Sequence, residues 1–323
     1  MSAIKFDICV HNLYYRNMED KSVLVILNYN DYTTTSKLVN AVGNFSVPGR
    51  VVVVDNMSSD GSYEELKKFV QNSNFKKADD GSDRITVIQA PSNGGYAKGN
   101  NFGIRYGIEK FDPDVIFVAN PDVNVSEDTF EKMAKTLRDD EPQFLSKEDK
   151  IGVLAPIVNQ GANVWKLPGF IGMIESLFMV WFTIDKKSIK KKLVNSKNEI
   201  EKVGVVEGSF FGIKRKAYDE IDGLDENTFL YVEENILAKR LKKAGYVEAI
   251  LTKERYDHFH SVSIKKKYKS SKAKAFHNFY PSMTYYNKQY LKTGLIKNMI
   301  FNICYGLAYI ERAIYDILKP LGI

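Results

Sequence analysis

Four runs of branched apolar residues, each ending in a polar turn, constrain this chain more than any other feature. Residues 22–29 read SVLVILNY, 50–55 RVVVVD, 84–90 RITVIQA and 115–119 VIFVA. Unbroken apolar runs of this length are strands covered on both faces, as in a parallel sheet flanked by helices. Helical stretches fall between them at 33–45, 62–73 and 95–111, with acids in the first turn of the second. This alternation predicts an α/β fold with a mostly parallel central sheet, whose first half, 22–125, is of nucleotide-binding type.

The rest of the chain reads less regularly. A helix is expected at 127–140, a strand at 151–159, and a strand, turn, strand and helix over 203–221. A helix at 232–246 stops at Gly245 and leads into a strand at 247–252. Residues 160–200 read as irregular. The expected division is an extension at 1–21, a domain at 22–263 whose second half is 126–263, and a basic, mainly helical appendage at 264–323.

Composition narrows the setting. With 323 residues the chain can bury one large α/β core and an appendage. Its two cysteines, Cys9 and Cys304, are too far apart for a disulfide framework or a zinc motif, which predicts a reducing, cytoplasmic compartment. The opening residues lack the apolar core of a signal peptide. Two apolar stretches, 170–184 and 299–310, fall short of the roughly 20 residues that span a bilayer. The net charge of +6 gathers in DKKSIKKK (185–192) and IKKKYKSSKAK (264–274), beside aromatic and apolar stretches. That placement suits a protein held at an anionic membrane surface, peripheral at the inner face of the cell membrane. No nucleic-acid fold signature accompanies the lysines, so nucleic acid is not an expected partner. The helix near 295–317 is expected to lie on such a surface or to pair with another subunit in a homo-oligomer.

Open α/β sheets bind ligands at the carboxyl ends of their strands, and here those ends carry suitable groups. Tyr29 follows the first strand and offers a ring to a nucleobase, although a packing role would also explain it. Asp55 ends the second strand, where a carboxylate can accept the imide N–H of a pyrimidine or simply cap a turn. After the third strand comes SNGGYAKGNNFG, in which Gly94 and Gly95 permit close backbone approach and Lys98 can meet phosphate. This is neither a Walker loop nor a dinucleotide fingerprint. The fourth strand ends at Asn120-Pro121-Asp122.

The stretches VLVILNYND, VVVVDNMSSDGS, NGGYAKGNNFGI and FVANPDV, in that order, resemble glycosyltransferase family 2, enzymes of the GT-A fold. The resemblance covers most of 22–263 and is to bacterial members that build cell-surface glycans, especially rhamnosyltransferase-like and galactofuranosyltransferase-like enzymes. It implies a nucleotide-binding GT-A sandwich whose nucleotide contacts include Tyr29, Asp55, Gly95, Lys98, Asn101 and Asn120. The family's Asp-x-Asp motif holds Mg²⁺ or Mn²⁺ against the donor diphosphate. Here it reads Asn120-Pro121-Asp122, so Asp122 is the implied ligand, and one carboxylate instead of two makes metal binding lean on the nucleotide's own phosphates.

The resemblance also assigns the second half. A Glu-Asp pair that opens a helix in the family corresponds to Glu233-Glu234, and Glu234 aligns with the general base, with Glu233 as the alternative. Gly208 and Ser209 fall in the loop beside the acceptor. His258 matches a late histidine near the metal or diphosphate, with His260 as the alternative. The implied activity is inverting, metal-dependent transfer of a sugar from a UDP- or dTDP-sugar to a hydroxyl of a lipid-linked or growing cell-surface glycan. Asn120 and Glu234 depart from the family pattern and leave room for a non-catalytic nucleotide-sugar-binding relative. A sugar-phosphate nucleotidyltransferase would need a glycine-rich loop after the first strand, where LNYNDY has no glycine.

Overall fold

The computed structural model describes residues 20–139, 149–259 and 271–319. The first half is β1 (Ser22–Asn28), α1 (Tyr32–Val42), β2 (Arg50–Asp55), α2 (Ser62–Asn72), β3 (Ile85–Gln89), α3 (Tyr96–Phe111) and β4 (Val115–Ala119). Its strands run parallel in the order β3-β2-β1-β4, so their carboxyl ends share one edge. Alternate residues point to opposite faces. Ile26, Val53 and Phe117 fill one core layer, and Val25, Val52 and Val118 the other.

Helix α3 lies unusually close to the sheet. A side chain at Gly103 would stand 2.4 Å from Val54 and 2.7 Å from Val25, and one at Gly99 would stand 2.6 Å from Leu27. Glycines at this spacing lie on one helical face. They let α3 sink onto β1 and β2, which brings its amino end to the strand ends.

The second half contains β5 (Val123–Asn124), α4 (Glu127–Arg138), β6 (Lys150–Val158), β7 (Val164–Trp165), α5 (Phe170–Leu177), α6 (Met179–Val194), β8 (Ile200–Val203), β9 (Val205–Val206), β10 (Phe210–Lys214), α7 (Arg215–Glu220), α8 (Glu233–Lys243) and β11 (Tyr246–His258). Strand β10 enters the sheet antiparallel, between β4 and β6, with Phe210 opposite Ala119. Because it runs backwards, its entry loop meets the carboxyl end of β4. Strand β11 is far longer than 247–252. It follows β6 through two register shifts, and its last residues pair with β5, His258 opposite Val123. Residues 160–200 are not irregular, as the sequence suggested. Met173 and Leu177 of α5 are buried, and that packing holds a helix where the periodicity is ambiguous.

Three more helices close the described chain: α9 (Lys272–His277), α10 (Tyr280–Gln289) and α11 (Leu295–Leu318). They share a core with α5 and α8, in which Val232 and Ile236 meet Phe276, Met283, Tyr286 and Phe301. The appendage is therefore built onto α8. No helix among the described residues is long and apolar enough to cross a membrane.

Candidate active site

The ends of β1 and β2 are tied together by polar side chains. Asn28 donates to Asp55 Oδ1 at 2.9 Å and accepts from Thr35 Oγ1 at 2.7 Å. Asp55 Oδ2 accepts from the Ser58 N–H at 3.0 Å and from Gln89 Nε2 at 3.1 Å. The Asp55 side chain has no exposed surface, so three donors hold it beneath the 56–59 turn. Tyr29 stands beside that turn and is 47% exposed, with its ring open to a ligand.

The glycine turn ahead of α3 is shaped by contact with another loop. Gly95 has φ 87°, and a side chain there would stand 2.0 Å from the Phe229 carbonyl oxygen. Glycine is required on both counts. The Tyr96 N–H donates to that same oxygen at 2.9 Å. Asn56 Nδ2 donates to Asn93 at 3.0 Å, and its buried Oδ1 has no hydrogen-bond partner. Lys98 is exposed in the first turn of α3. Asn101 serves the protein interior: its amide donates to Leu224 O and Glu226 Oε1, and its carbonyl accepts from the Tyr218 hydroxyl and the Leu224 N–H. All four positions of that side chain are engaged, so Asn101 fixes the 218–226 loop and does not face the strand edge.

Beyond β4 the chain turns back under β11. The Asn120 N–H donates to Ser209 O at 2.8 Å, and the Phe259 N–H donates to Asp122 O at 2.9 Å. Asp122 Oδ1 lies 3.4 Å from His258 Nε2, and both side chains are buried. Burial draws the His258 pKa down, but the hydrogen bond and charge of Asp122, with the charge of Glu207, raise it overall. Ser209 Oγ and the Tyr256 hydroxyl are 2.8 Å apart, which joins the β10 entry to β11. His260 lies outside the described residues. Among those residues no group of three or more His, Cys, Asp or Glu side chains could hold a metal. Asp122 and His258 form a close, buried pair.

The two acids that open α8 differ in setting. The turn before them holds Tyr231 and Val232 at φ 72° and 71°, which is strained for side chains with a Cβ. Packing holds that strain. Val232 is buried against the appendage, and Tyr231 stacks on Phe279 with centroids 3.6 Å apart. Glu234 is half-buried and accepts from the Gly208 N–H at 3.3 Å. Glu233 is buried with Oε2 unbonded, and burial followed by the charge of Glu234 pushes its carboxyl up to about 8. The Tyr96 hydroxyl donates to Gly208 O, and burial together with Glu234 and Glu233 keeps it protonated.

The sequence reading missed Asn28, Tyr96, Glu248 and Tyr256. Glu248 is fully buried in β11, accepts from the Val206 N–H at 2.6 Å, and is pushed well up by burial. Its signal was available, since VEAILT places an acid inside an otherwise apolar strand. Asn28 also stood in view, as a polar residue ending a buried run.

A family model described as glycosyl transferase family 2 matches residues 23–222. The low-salt glycan biosynthesis hexosyltransferase Agl10 of Haloferax volcanii is 24% identical over 219 residues, covering 67% of this chain. The chain spans 60% of that relative's length. Among solved structures, GalNAc-T7 with UDP, GalNAc and Mn²⁺ superposes with a TM-score of 0.56 at 16% identity, over 94% of this chain and 58% of that one. The mannosyltransferase PcManGT of Pyrobaculum calidifontis, in complex with GDP-Man and Mn²⁺, gives 0.51 at 12% identity, over 94% and 88%. At such identities these likenesses show the fold, which is GT-A. The family match covers more than half of the chain, and it includes the carboxyl ends of β1 to β4, the β10 entry loop and the Asn120-Pro121-Asp122 turn. The chain therefore belongs to glycosyl transferase family 2.

Proposed function

We propose that this chain is an inverting, metal-dependent glycosyltransferase that moves a sugar from a UDP- or dTDP-sugar to a hydroxyl of a lipid-linked or growing cell-surface glycan. One observation carries the reading. A continuous polar path joins the Asp122–His258 pair to Glu234 through Asn120, Ser209 and Gly208. A leaving-group end and an acceptor end are thus held in register by one short loop.

The donor set of one buried carboxylate and one imidazole fits a divalent cation that completes its shell with diphosphate oxygens and water. Asp122 and His258 would hold Mg²⁺ or Mn²⁺, which when bound neutralises charge on the departing nucleoside diphosphate. Tyr29 would stack on the pyrimidine, and Asp55, closed off by its three donors, would fix the 56–59 turn beside the base rather than bond the base itself. Gly95, Lys98 and Asn120 line the diphosphate side. On the acceptor side, Glu234 would take the proton of the attacking hydroxyl as that oxygen bonds to the anomeric carbon. Gly208 orients the Glu234 carboxylate, and Glu233, neutral behind it, adds no second charge. A single displacement follows, with no nucleophilic residue of the protein.

The test is turnover of UDP- and dTDP-sugars to free nucleoside diphosphate. Loss with EDTA, recovery with Mn²⁺ and loss in Glu234→Gln support the reading. Tight nucleotide-sugar binding without turnover under every metal condition would identify a binding module instead.

A further inference from the structure

Helix α11 is apolar on two opposite sides. One side is spent on its own chain, where Phe301, Tyr305, Ala308 and Arg312 are buried against the appendage core. The other side presents Ile296, Ile300, Ile303, Leu307, Ile310, Ile314 and Ile317, between 42% and 72% exposed. The steps between them alternate four and three without a break. An average spacing of 3.5 is the period of a left-handed coiled coil, in which such a seam stays in contact with a partner helix along its whole length. A helix lying on a lipid surface needs only a broad apolar arc with cationic borders. Along α11 Lys297 and Arg312 are matched by Glu311 and Asp316, so no cationic excess is present.

Two further features point to a helix and to its direction. Gly306 sits mid-helix, where glycine is less favourable than alanine. A side chain there would meet nothing within 4 Å in the chain's own structure. The monomer has no use for that glycine, whereas a close-packed neighbour does. Lys297 and Glu311 stand on the same flank of the seam, two heptads apart. An antiparallel pair of α11 helices centred between them sets each Lys297 against the Glu311 of the second copy. A parallel pair sets neither against an opposite charge.

We propose that the exposed seam of α11 is the contact of a two-fold symmetric homodimer, in which α11 packs antiparallel against α11 of a second copy. Ile303 then meets Leu307 of the other copy, and Ile300 meets Ile310. The contact is self-complementary, as two-fold symmetry requires. None of its residues is among those that bond at the strand edge or around Glu234.

Light scattering on the full chain tests the assembly. A mass twice the 36.8 kDa of one chain is expected, falling to the single value in Leu307→Glu and Ile303→Glu with nucleotide binding retained. A second measurement does not depend on those variants folding. In a Cys9→Ser, Cys304→Ser background, Ile296→Cys with Ile314→Cys should cross-link two chains under mild oxidation, and Ile296→Cys alone should not. Efficient cross-linking by the single variant would overturn the antiparallel arrangement. A monomer at micromolar concentration overturns the dimer, whether or not it sediments with vesicles of anionic phospholipid. Sedimentation would assign the seam to a lipid surface.

Discussion

Replacing Glu233 with glutamine separates the roles of the two acids at the head of α8. In the folded protein Glu233 is buried, and burial followed by the Glu234 charge pushes it up from 4.5 to about 8. A carboxyl whose folded pKa lies above its unfolded one stabilises the fold fully below the unfolded value and loses that contribution as pH rises through the folded one. The window for Glu233 therefore runs from 4.5 to about 8. Inside it, one proton held only by the folded chain changes stability by about 1.4 kcal/mol per pH unit, or about 3 kcal/mol between about pH 5 and about pH 7. Glutamine keeps the neutral shape and cannot ionise. Urea unfolding of both proteins across that range should show the wild type losing ground to Glu233→Gln by about 3 kcal/mol. Glu248, also pushed up by burial, adds the same slope to both proteins and cancels in the difference. Transfer by Glu233→Gln should remain within about tenfold of wild type, whereas Glu234→Gln should lose about 100-fold or more. A stability difference that ignores pH, or equal losses of transfer in the two variants, would refute the division of roles.

Further outcomes follow from the same geometry. Asp122→Ala should lower transfer by about 1000-fold or more, and it should also lower the urea midpoint, since it leaves buried His258 without its carboxylate partner; full activity in the folded variant would remove Asp122 from the proposed metal site. Gly95→Ala should cost about 2–4 kcal/mol in denaturant titration, because φ 87° and the Phe229 carbonyl 2.0 Å away both resist a side chain; an unchanged midpoint would mean that the two loops are not in contact. UDP or dTDP at a hundred times its dissociation constant should stabilise by about 2.7 kcal/mol, and at matched concentration more than ADP or GDP does; equal protection by purines would remove Tyr29 and the turn that Asp55 fixes from base recognition. Phe279→Ala should slow transfer while leaving nucleotide affinity unchanged, because the Tyr231–Phe279 stack supports the strained turn that aims Glu234; unchanged transfer would show that α8 holds the turn unaided.

The nucleotide half was legible because its signals are local. VVVVD can be little other than a buried strand, and four such runs with helices between them set the order of polar ends along one edge. Tyr29, Gly95, Asp122 and Glu234 stood out as candidates for the same reason, since each stands at a boundary between a periodic segment and a turn. The resemblance to a family supplied roles that spacing alone could not. Where sequence reasoning erred, the deciding partner lay far along the chain. Asn101 sits in a glycine-rich stretch that suggested phosphate, yet its four hydrogen bonds go to residues 218–226. The 160–200 segment looked irregular because α5 is set by packing against α8 and the appendage, and the end of α6 by packing against the sheet.

By itself the sequence determined the sheet-forming runs, the polar groups at their ends and the two-sided apolar character of α11, because hydrophobic periodicity is written in neighbouring residues. Only the tertiary structure decided that β10 runs backwards between β4 and β6, which carries Ser209 to Asn120. The same holds for the bend of β11 that lays His258 against Asp122, and for the burial that keeps Glu233 neutral beside Glu234. It also decided which side of α11 the chain covers and which it leaves exposed. Strand order, burial and the pKa of a carboxyl depend on what the distant chain brings alongside, and a local pattern does not contain that.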